Sequence, residues 1–334
     1  MTSAKASPRR ITVVGSGAWG TALACAMARA GSETTLVCRS KEQASELNLH
    51  HTNRRYLGDI HLADRFGATT DARFALSKAD IVVLAIPVQV LGPALRGLSD
   101  LIPADAILVN TAKGMERATG RRLSDVIGQA CPNNALAVLS GPSFARDVAR
   151  GLPTAVTLAM EDIDAAIDLA NRLSCPSFRL YASNDVLGVE LGGALKNVLA
   201  LAAGMIEGRG LGDSAKAALI TRGFVELLRI GRRMGALDET LMGLSGFGDL
   251  QLTCGSLQSR NYSYGVALGR GQDVSDLPLA EGVATADVAA DLVRDLGLDA
   301  PIIAAVKEIL AGETSLNAAV EALMSRPLKT EARG

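Results

Sequence analysis

One hexapeptide limits this chain's possible folds more than any other feature: Gly15-Ser16-Gly17-Ala18-Trp19-Gly20. It follows directly on the apolar run Ile11-Thr12-Val13-Val14 and opens a helical stretch, Gly20–Ala30, with Gly31 as its stop. A G-x-G-x-x-G pattern alone is weak, but between a strand and a helix it reads as a dinucleotide-binding turn. Gly15 permits the tight turn, Gly17 lets a pyrophosphate reach the main chain, and Gly20 lets helix and strand pack closely. The helix start then offers free N–H groups and the positive end of its dipole to the phosphates.

The rest of the first half repeats this rhythm. Short apolar runs at Thr34–Val37, Ile81–Ala85, Ile107–Val109, Leu136–Leu139, Thr154–Leu158 and Phe178–Tyr181 alternate with helical stretches. Such alternation predicts a doubly wound, mostly parallel sheet covered on both faces, an α/β Rossmann-like domain. After Tyr181 the strands stop. Asp185–Glu207, Ser214–Met234, Thr285–Leu296 and Ile302–Leu310 read as helices of a C-terminal all-helical domain. A chain of 334 residues suits two domains. The expected division is an arm at 1–10, a dinucleotide-binding domain at 11–184, a helical substrate domain at 185–325 and a tail at 326–334.

Composition narrows the partners. Lys plus Arg number 34 and Asp plus Glu 35, so a net charge of -1 gives no global attraction to nucleic acid or membrane. The five cysteines lack metal-site spacing and read as buried thiols of a cytoplasmic protein; no metal is expected. Val186–Ile206 is long and apolar, yet Glu190, Lys196 and Asn197 inside it favour a buried core helix over membrane insertion.

The end of the second strand reports the cofactor. An NAD site places an acid there for the ribose 2′-OH. Here the sequence is Cys38-Arg39-Ser40-Lys41, and Arg39 can hold a 2′-phosphate or stack on adenine. NADPH is therefore expected in preference to NADH; an exposed surface arginine is the plainer alternative.

Hydride transfer to a ketone also needs a proton donor. The three histidines, His50, His51 and His61, all precede the run Ile81–Ala85, and no tyrosine has a lysine four places on. Lys196 remains. It shares a helix face with Gly188, Gly192, Ala200 and Gly204, a face that admits a ligand or another backbone. The alternative is a lysine snorkelling from a domain interface. Three further clusters read equally as turns or as sites: Thr111–Gly114, Ser140–Ala145, and the turn-rich segment Gly243–Asp249 leading to Thr253, Ser259, Arg260 and Asn261.

Taken together, GSGAWGTALA, NTAKGME, SGPSFA, ELGGALKNVLALAAGM, LITRGFVE, GLSGFGDLQLTC and SRN resemble, in order and spacing, the NAD(P)-dependent sn-glycerol-3-phosphate dehydrogenase family. The resemblance runs from Val13 to about Leu323. It implies reduction of dihydroxyacetone phosphate for phospholipid synthesis. It also implies that Lys196 is the catalytic lysine and that Lys113 is a second lysine touching substrate and cofactor. Gly141, Ser143, Asp249, Ser259, Arg260 and Asn261 match substrate positions, with the phosphate on Arg260 and Asn261. Ala18, Trp19, Arg39, Ala145 and Arg260 match cofactor positions; Leu279 and Glu281 fall in a late cofactor loop, and Tyr56 lies on the adenine side. Ala18 departs from the Ser or Thr common in the family, and Ser143 from Thr. Homodimerisation would suit the small-residue helix. The rival readings are a β-hydroxyacid or 6-phosphogluconate type dehydrogenase and a non-catalytic NADP-binding sensor.

Overall fold

The computed structural model describes residues 9–62 and 66–327. The chain forms two compact units. One holds the chain up to Ala112 together with Leu123–Val186; the other holds Lys113–Arg122 together with the chain from Leu187 onward.

The first unit is built on one eight-stranded sheet: β1 (Arg10–Val14), β2 (Glu33–Val37), β3 (Phe66–Thr69), β4 (Ile81–Leu84), β5 (Ile107–Asn110), β6 (Leu136–Ser140), β7 (Thr154–Ala159) and β8 (Phe178–Ser183). Their order is β3-β2-β1-β4-β5-β6-β7-β8. Pairing is parallel from β3 to β6, β7 runs antiparallel to β6, and β8 is parallel to β7. The reversal of strand order beside β1 is the switch point at which doubly wound sheets open a crevice. The seven strands expected from apolar runs are all present. The eighth, β3, has the sequence FGAT, whose glycine and alanine give no strand signal.

The helices of this unit are α1 (Ala18–Arg29), α2 (Lys41–His50), α3 (Arg54–Leu57), α4 (Ala72–Leu76), α5 (Val88–Leu98), α6 (Leu123–Ala130), α7 (Ala145–Ala149) and α8 (Ile163–Leu173). Both faces of the sheet are covered, as the runs of unbroken apolar strand residues require. On β4, Ile81 and Val83 enter one core with Met27, Leu36 and Phe178, while Val82 and Leu84 enter the other with Leu91, Leu108 and Ile127. That split is the two-residue period of a strand.

The second unit is helical: α9 (Val186–Arg209), α10 (Asp213–Met234), α11 (Asp238–Met242), α12 (Asp249–Cys254), α13 (Arg260–Gly269), α14 (Glu281–Asp295), α15 (Pro301–Leu310) and α16 (Leu316–Met324). Helix α9 is long and apolar enough to cross a membrane by length, but it is buried inside this unit and forms its core. Its glycines meet backbone. A methyl group on Gly204 would come within 2.2 Å of the Tyr262 carbonyl oxygen, and one on Gly265 within 2.2 Å of the Leu201 oxygen. Helices α9 and α13 therefore touch main chain to main chain.

Segment 113–122, which the sequence reading kept with the sheet, belongs to the helical unit. Met115 packs on Ala194 and Val288, the Lys113 carbonyl accepts from Asn197 Nδ2 at 3.3 Å, and Arg117 pairs with Asp287 at 2.8 Å. Of the expected arm and tail, 1–8 and 328–334 lie outside the described residues. Arg10 opens β1, and Arg326 pairs with Asp299 at 2.5 Å.

Candidate active site

In the sheet unit the Gly15–Gly20 turn sits at the carboxyl end of β1. Gly15 has φ +110, and a methyl group there would lie 2.4 Å from the Ala85 carbonyl oxygen. On Gly20 the methyl would lie 1.8 Å from the Gly15 oxygen, so both positions are closed to a side chain. At Gly17, the N-cap of α1, it would meet nothing within 4 Å. The turn is thus tight against protein at its two ends and open in the middle, where the N–H groups of the first helical turn begin. That shape fits a dinucleotide pyrophosphate. Ala18 and Trp19 form this first turn, and the buried Trp19 Nε1 has no hydrogen-bond partner among the described residues.

Around this turn, Arg39 is exposed just ahead of α2, whose N-cap Ser40 accepts from the Gln43 N–H. Tyr56 lies on α3 with the Arg55 guanidinium 5.3 Å from its ring centre. Gly141 follows β6 with φ +147, and a methyl there would lie 2.8 Å from the Val156 Cα. Ser143 Oγ donates to the Gly141 carbonyl at 3.0 Å, and Ala145 opens α7.

The helical unit brings together Lys113, Lys196 and Asp249. Asp249, 1% exposed, opens α12. Its Oδ1 lies 2.6 Å from Lys196 Nζ and its Oδ2 2.7 Å from Lys113 Nζ. Lys196 also donates to Thr253 Oγ1 at 2.7 Å, and that hydroxyl donates to the Asp249 carbonyl at 2.6 Å. One buried carboxylate thus bridges two ammonium groups. Burial pushes the Lys196 pKa down to about 8, Asp249 opposes that, and the Lys113 charge adds to it. A lysine so placed exchanges a proton near neutrality, the property a general acid or base needs.

The segment Gly243–Asp249, expected as turns, is wound instead. Leu244–Gly248 forms a π-helical turn that runs into α12. Its glycines serve packing: a methyl on Gly246 would lie 1.8 Å from the Leu241 oxygen, and one on Gly192 of α9 would lie 2.9 Å from both Gly246 Cα and the Ser245 oxygen. The small-residue face of α9 therefore receives backbone, and Lys196 sits on it facing Asp249.

A second chain of contacts starts beside Lys196. Asn261 Nδ2 donates to Asn197 Oδ1 at 2.9 Å, and Asn261 Oδ1 accepts the Gly282 N–H at 2.8 Å. Asn261 is thereby committed at both ends of its amide, and Glu281, the first residue of α14, is held close by. Arg260 opens α13 with an exposed side chain, after N-cap Ser259, which accepts from the Tyr262 N–H. Leu279 is exposed in the loop before α14. Thr253 was named only as part of the turn-rich cluster, with no role of its own, and Asn197 was not a site candidate; its only signal is a polar side chain inside an apolar helix beside Lys196. Among the described residues no group of three or more His, Cys, Asp or Glu side chains could hold a metal ion.

Residues 10–166 match the N-terminal domain of NAD-dependent glycerol-3-phosphate dehydrogenase, and residues 185–321 match its C-terminal domain. A Brucella canis protein named glycerol-3-phosphate dehydrogenase (NAD(P)+) is 56% identical over 96% of this chain and 99% of its own length. One of that name from a Chelativorans species is 54% identical over 96% and 98%. The crystal structure of a glycerol-3-phosphate dehydrogenase from Coxiella burnetii superposes with a TM-score of 0.89 at 35% identity, covering 96% of this chain and 99% of that one. The chain belongs to the family of NAD(P)-dependent glycerol-3-phosphate dehydrogenases.

Proposed function

We propose that the chain reduces dihydroxyacetone phosphate reversibly to sn-glycerol 3-phosphate, with NADPH preferred over NADH. We place it in the cytoplasm, as a homodimer, supplying glycerophospholipid synthesis. The observation that carries the chemistry is the Asp249 carboxylate held between two lysine ammonium groups at 2.6 and 2.7 Å.

When bound, the reduced nicotinamide supplies the hydride to the carbonyl carbon. Lys196, as ammonium, donates its proton to the carbonyl oxygen; in the reverse direction the neutral amine takes the hydroxyl proton. A pKa near 8 keeps both forms accessible. Lys113, oriented by Asp249 Oδ2, stabilises charge developing on the oxygen. Thr253 holds Lys196 in line by accepting one of its N–H groups. Arg260 grips the phosphate with its fork of donors. Ser259 and Asn261 set the backbone around it, and Asn261 adds its remaining N–H. In the sheet unit, the Gly15–Gly20 turn seats the pyrophosphate, Arg39 takes the 2′-phosphate and Tyr56 lies on the adenine side. By the family resemblance, Gly141 and Ser143 serve the substrate, and Ala145, Leu279 and Glu281 serve the cofactor.

The test follows reduced-nicotinamide absorbance with dihydroxyacetone phosphate and either cofactor, for the wild type and Lys196→Ala. Oxidation that needs the substrate phosphate, and falls roughly 10²–10⁴-fold in the variant, is expected. A loss below about tenfold in a folded variant would move the proton to another group. Turnover only of unphosphorylated hydroxyacids would point to a hydroxyacid dehydrogenase. Tight NADPH binding without turnover would point to a sensor.

A further inference from the structure

The dinucleotide turn is held from behind by two amide side chains that no sequence signal marks. Asn53 precedes α3, where an asparagine commonly caps the helix with its own side chain. Here it makes no such cap. Its Nδ2 instead reaches back to the Ser16 carbonyl at 3.1 Å and to Thr21 Oγ1 at 2.8 Å. Asn53 is wholly buried. From α2, Gln43 Nε2 donates to the same carbonyl at 2.7 Å, and Gln43 Oε1 accepts from Ser16 Oγ at 2.7 Å. Thr21 Oγ1 adds a longer contact to that oxygen at 3.4 Å. Glu46, one turn along α2, fixes the approach of Asn53 by accepting from Thr52 Oγ1 at 2.9 Å and the Arg54 N–H at 2.8 Å.

The orientation of both amides follows from the chemistry. A carbonyl oxygen only accepts, so each amide must turn its NH₂ toward Ser16; Gln43 Oε1 is then left to take the serine hydroxyl. The consequence runs across one peptide bond. The bond between Ser16 and Gly17 is trans, so its C=O and N–H point in opposite directions. Pinning the Ser16 carbonyl onto Gln43 and Asn53 aims the Gly17 N–H the other way, away from the clamp. Gly17 is also the position where an added methyl would meet nothing.

We infer that Gln43 and Asn53 are positioning residues for cofactor binding: they fix the Ser16–Gly17 peptide so that its N–H is presented to the pyrophosphate before the cofactor arrives. This rests on the reading of Gly15–Gly20 as the pyrophosphate seat. Without the clamp the peptide is free to rotate, and its ordering has to come from binding energy. The clamp acts on a group common to both cofactors, so it sets affinity for NADPH and NADH alike and leaves their ratio to Arg39.

The experiment uses the full chain carrying Gln43→Met, which keeps the side-chain length and removes both hydrogen-bonding atoms, and separately Asn53→Ala. Dissociation constants for NADPH and NADH are read from nicotinamide fluorescence, and kcat and substrate KM are measured at saturating cofactor. The expected result is a rise of roughly tenfold in both dissociation constants, with their ratio, kcat and substrate KM within about twofold of wild type. A merely structural role would lower the unfolding midpoint without this split. Dissociation constants within about twofold of wild type in Gln43→Met would overturn the clamp, and Gln43→Met alone decides if Asn53→Ala does not fold. A wild type that binds neither dinucleotide would instead remove the pyrophosphate reading, and the clamp with it.

Discussion

Replacing Asp249 by asparagine removes the charge that binds Lys196 and Lys113 together while keeping the side-chain volume. In the wild type three influences meet on Lys196: burial lowers its pKa, Asp249 raises it and Lys113 lowers it, for a balance at about 8. Two unit charges about 4 Å apart at an effective dielectric of about 20 interact by about 4 kcal/mol, roughly three pKa units. The asparagine oxygen still accepts a hydrogen bond and returns part of this. The Lys196 pKa in the variant is then expected at roughly 5 to 7. Reduction needs the ammonium, and its alkaline limb should move down from about 8 to that range. At about pH 7.5 the protonated fraction, and with it kcat/KM for dihydroxyacetone phosphate, falls roughly 3- to 200-fold and recovers on acidification. The equilibrium constant ties the two directions, so with cofactor affinities unchanged kcat/KM for glycerol phosphate oxidation falls by the same factor at each pH: the amine is more often neutral, but it is a correspondingly weaker base toward the hydroxyl proton. The assay is kcat/KM in both directions between about pH 4 and 9.5, which brackets both limbs. Thermal unfolding runs alongside it, because breaking a buried ion pair costs about 3–5 kcal/mol when the remaining charge stays. Here Lys196 can shed its proton, so the variant should fold. A limb that stays at its wild-type position, or a loss of the same size at every pH, would refute the electrostatic role and leave Asp249 a purely steric one.

Lys196 should also mark the pH dependence of stability. Its folded pKa of about 8 lies below the ordinary lysine value of 10.5, so between these the unfolded chain binds more protons and stability rises with pH, by on the order of 3 kcal/mol. Urea unfolding on both sides of that window should show this rise in the wild type and not in Lys196→Met; the same rise in both would mean the lysine is not desolvated. Arg39→Ala should weaken NADPH binding roughly 10- to 100-fold and leave NADH within about threefold, read as dissociation constants; equal losses for the two cofactors would remove the 2′-phosphate assignment.

The sheet was legible because its strands are buried on both faces, and burial on both faces writes itself as unbroken apolar runs. Strand β3 was not, since Gly67 and Ala68 carry no such signal and the strand is placed by pairing with β2. The helical unit was legible as helices, but its internal geometry was not. Lys113, Lys196 and Asp249 could be named one by one as candidates. That a single carboxylate bridges the other two is a distance, which spacing does not encode. Segment 113–122 follows β5 in the chain and was read with the sheet; its allegiance comes from Met115, Lys113 and Arg117 finding partners on α9 and α14. The clamp on the dinucleotide turn lay furthest from sight, because nothing in the sequence marks Gln43 and Asn53 until their amides are seen converging on one carbonyl.

The glycines show where the sequence reading and the structure meet. On α9 a glycine face was open to two meanings, room for a ligand or room for backbone, and the segment Gly243–Gly248 read as turns. Both resolve into adjoining contacts: Gly192 lets α9 approach the π-helical turn, where an added methyl would come within 2.9 Å of the Gly246 Cα and the Ser245 oxygen, and Gly246 lets that turn close on Leu241, whose oxygen a methyl would reach at 1.8 Å. Four residues along α9 from Gly192 stands Lys196, and three residues along from Gly246 stands Asp249. The closeness of the two backbones is therefore what sets the 2.6 Å between ammonium and carboxylate. That separation in turn fixes how far Asp249 can offset the desolvation of Lys196. The motifs that carry the family resemblance are thus not all sites in themselves. Some supply the charge, and others, such as the glycines of ELGGALKN and GLSGFGDL, supply the absence of side chain that lets the charges meet.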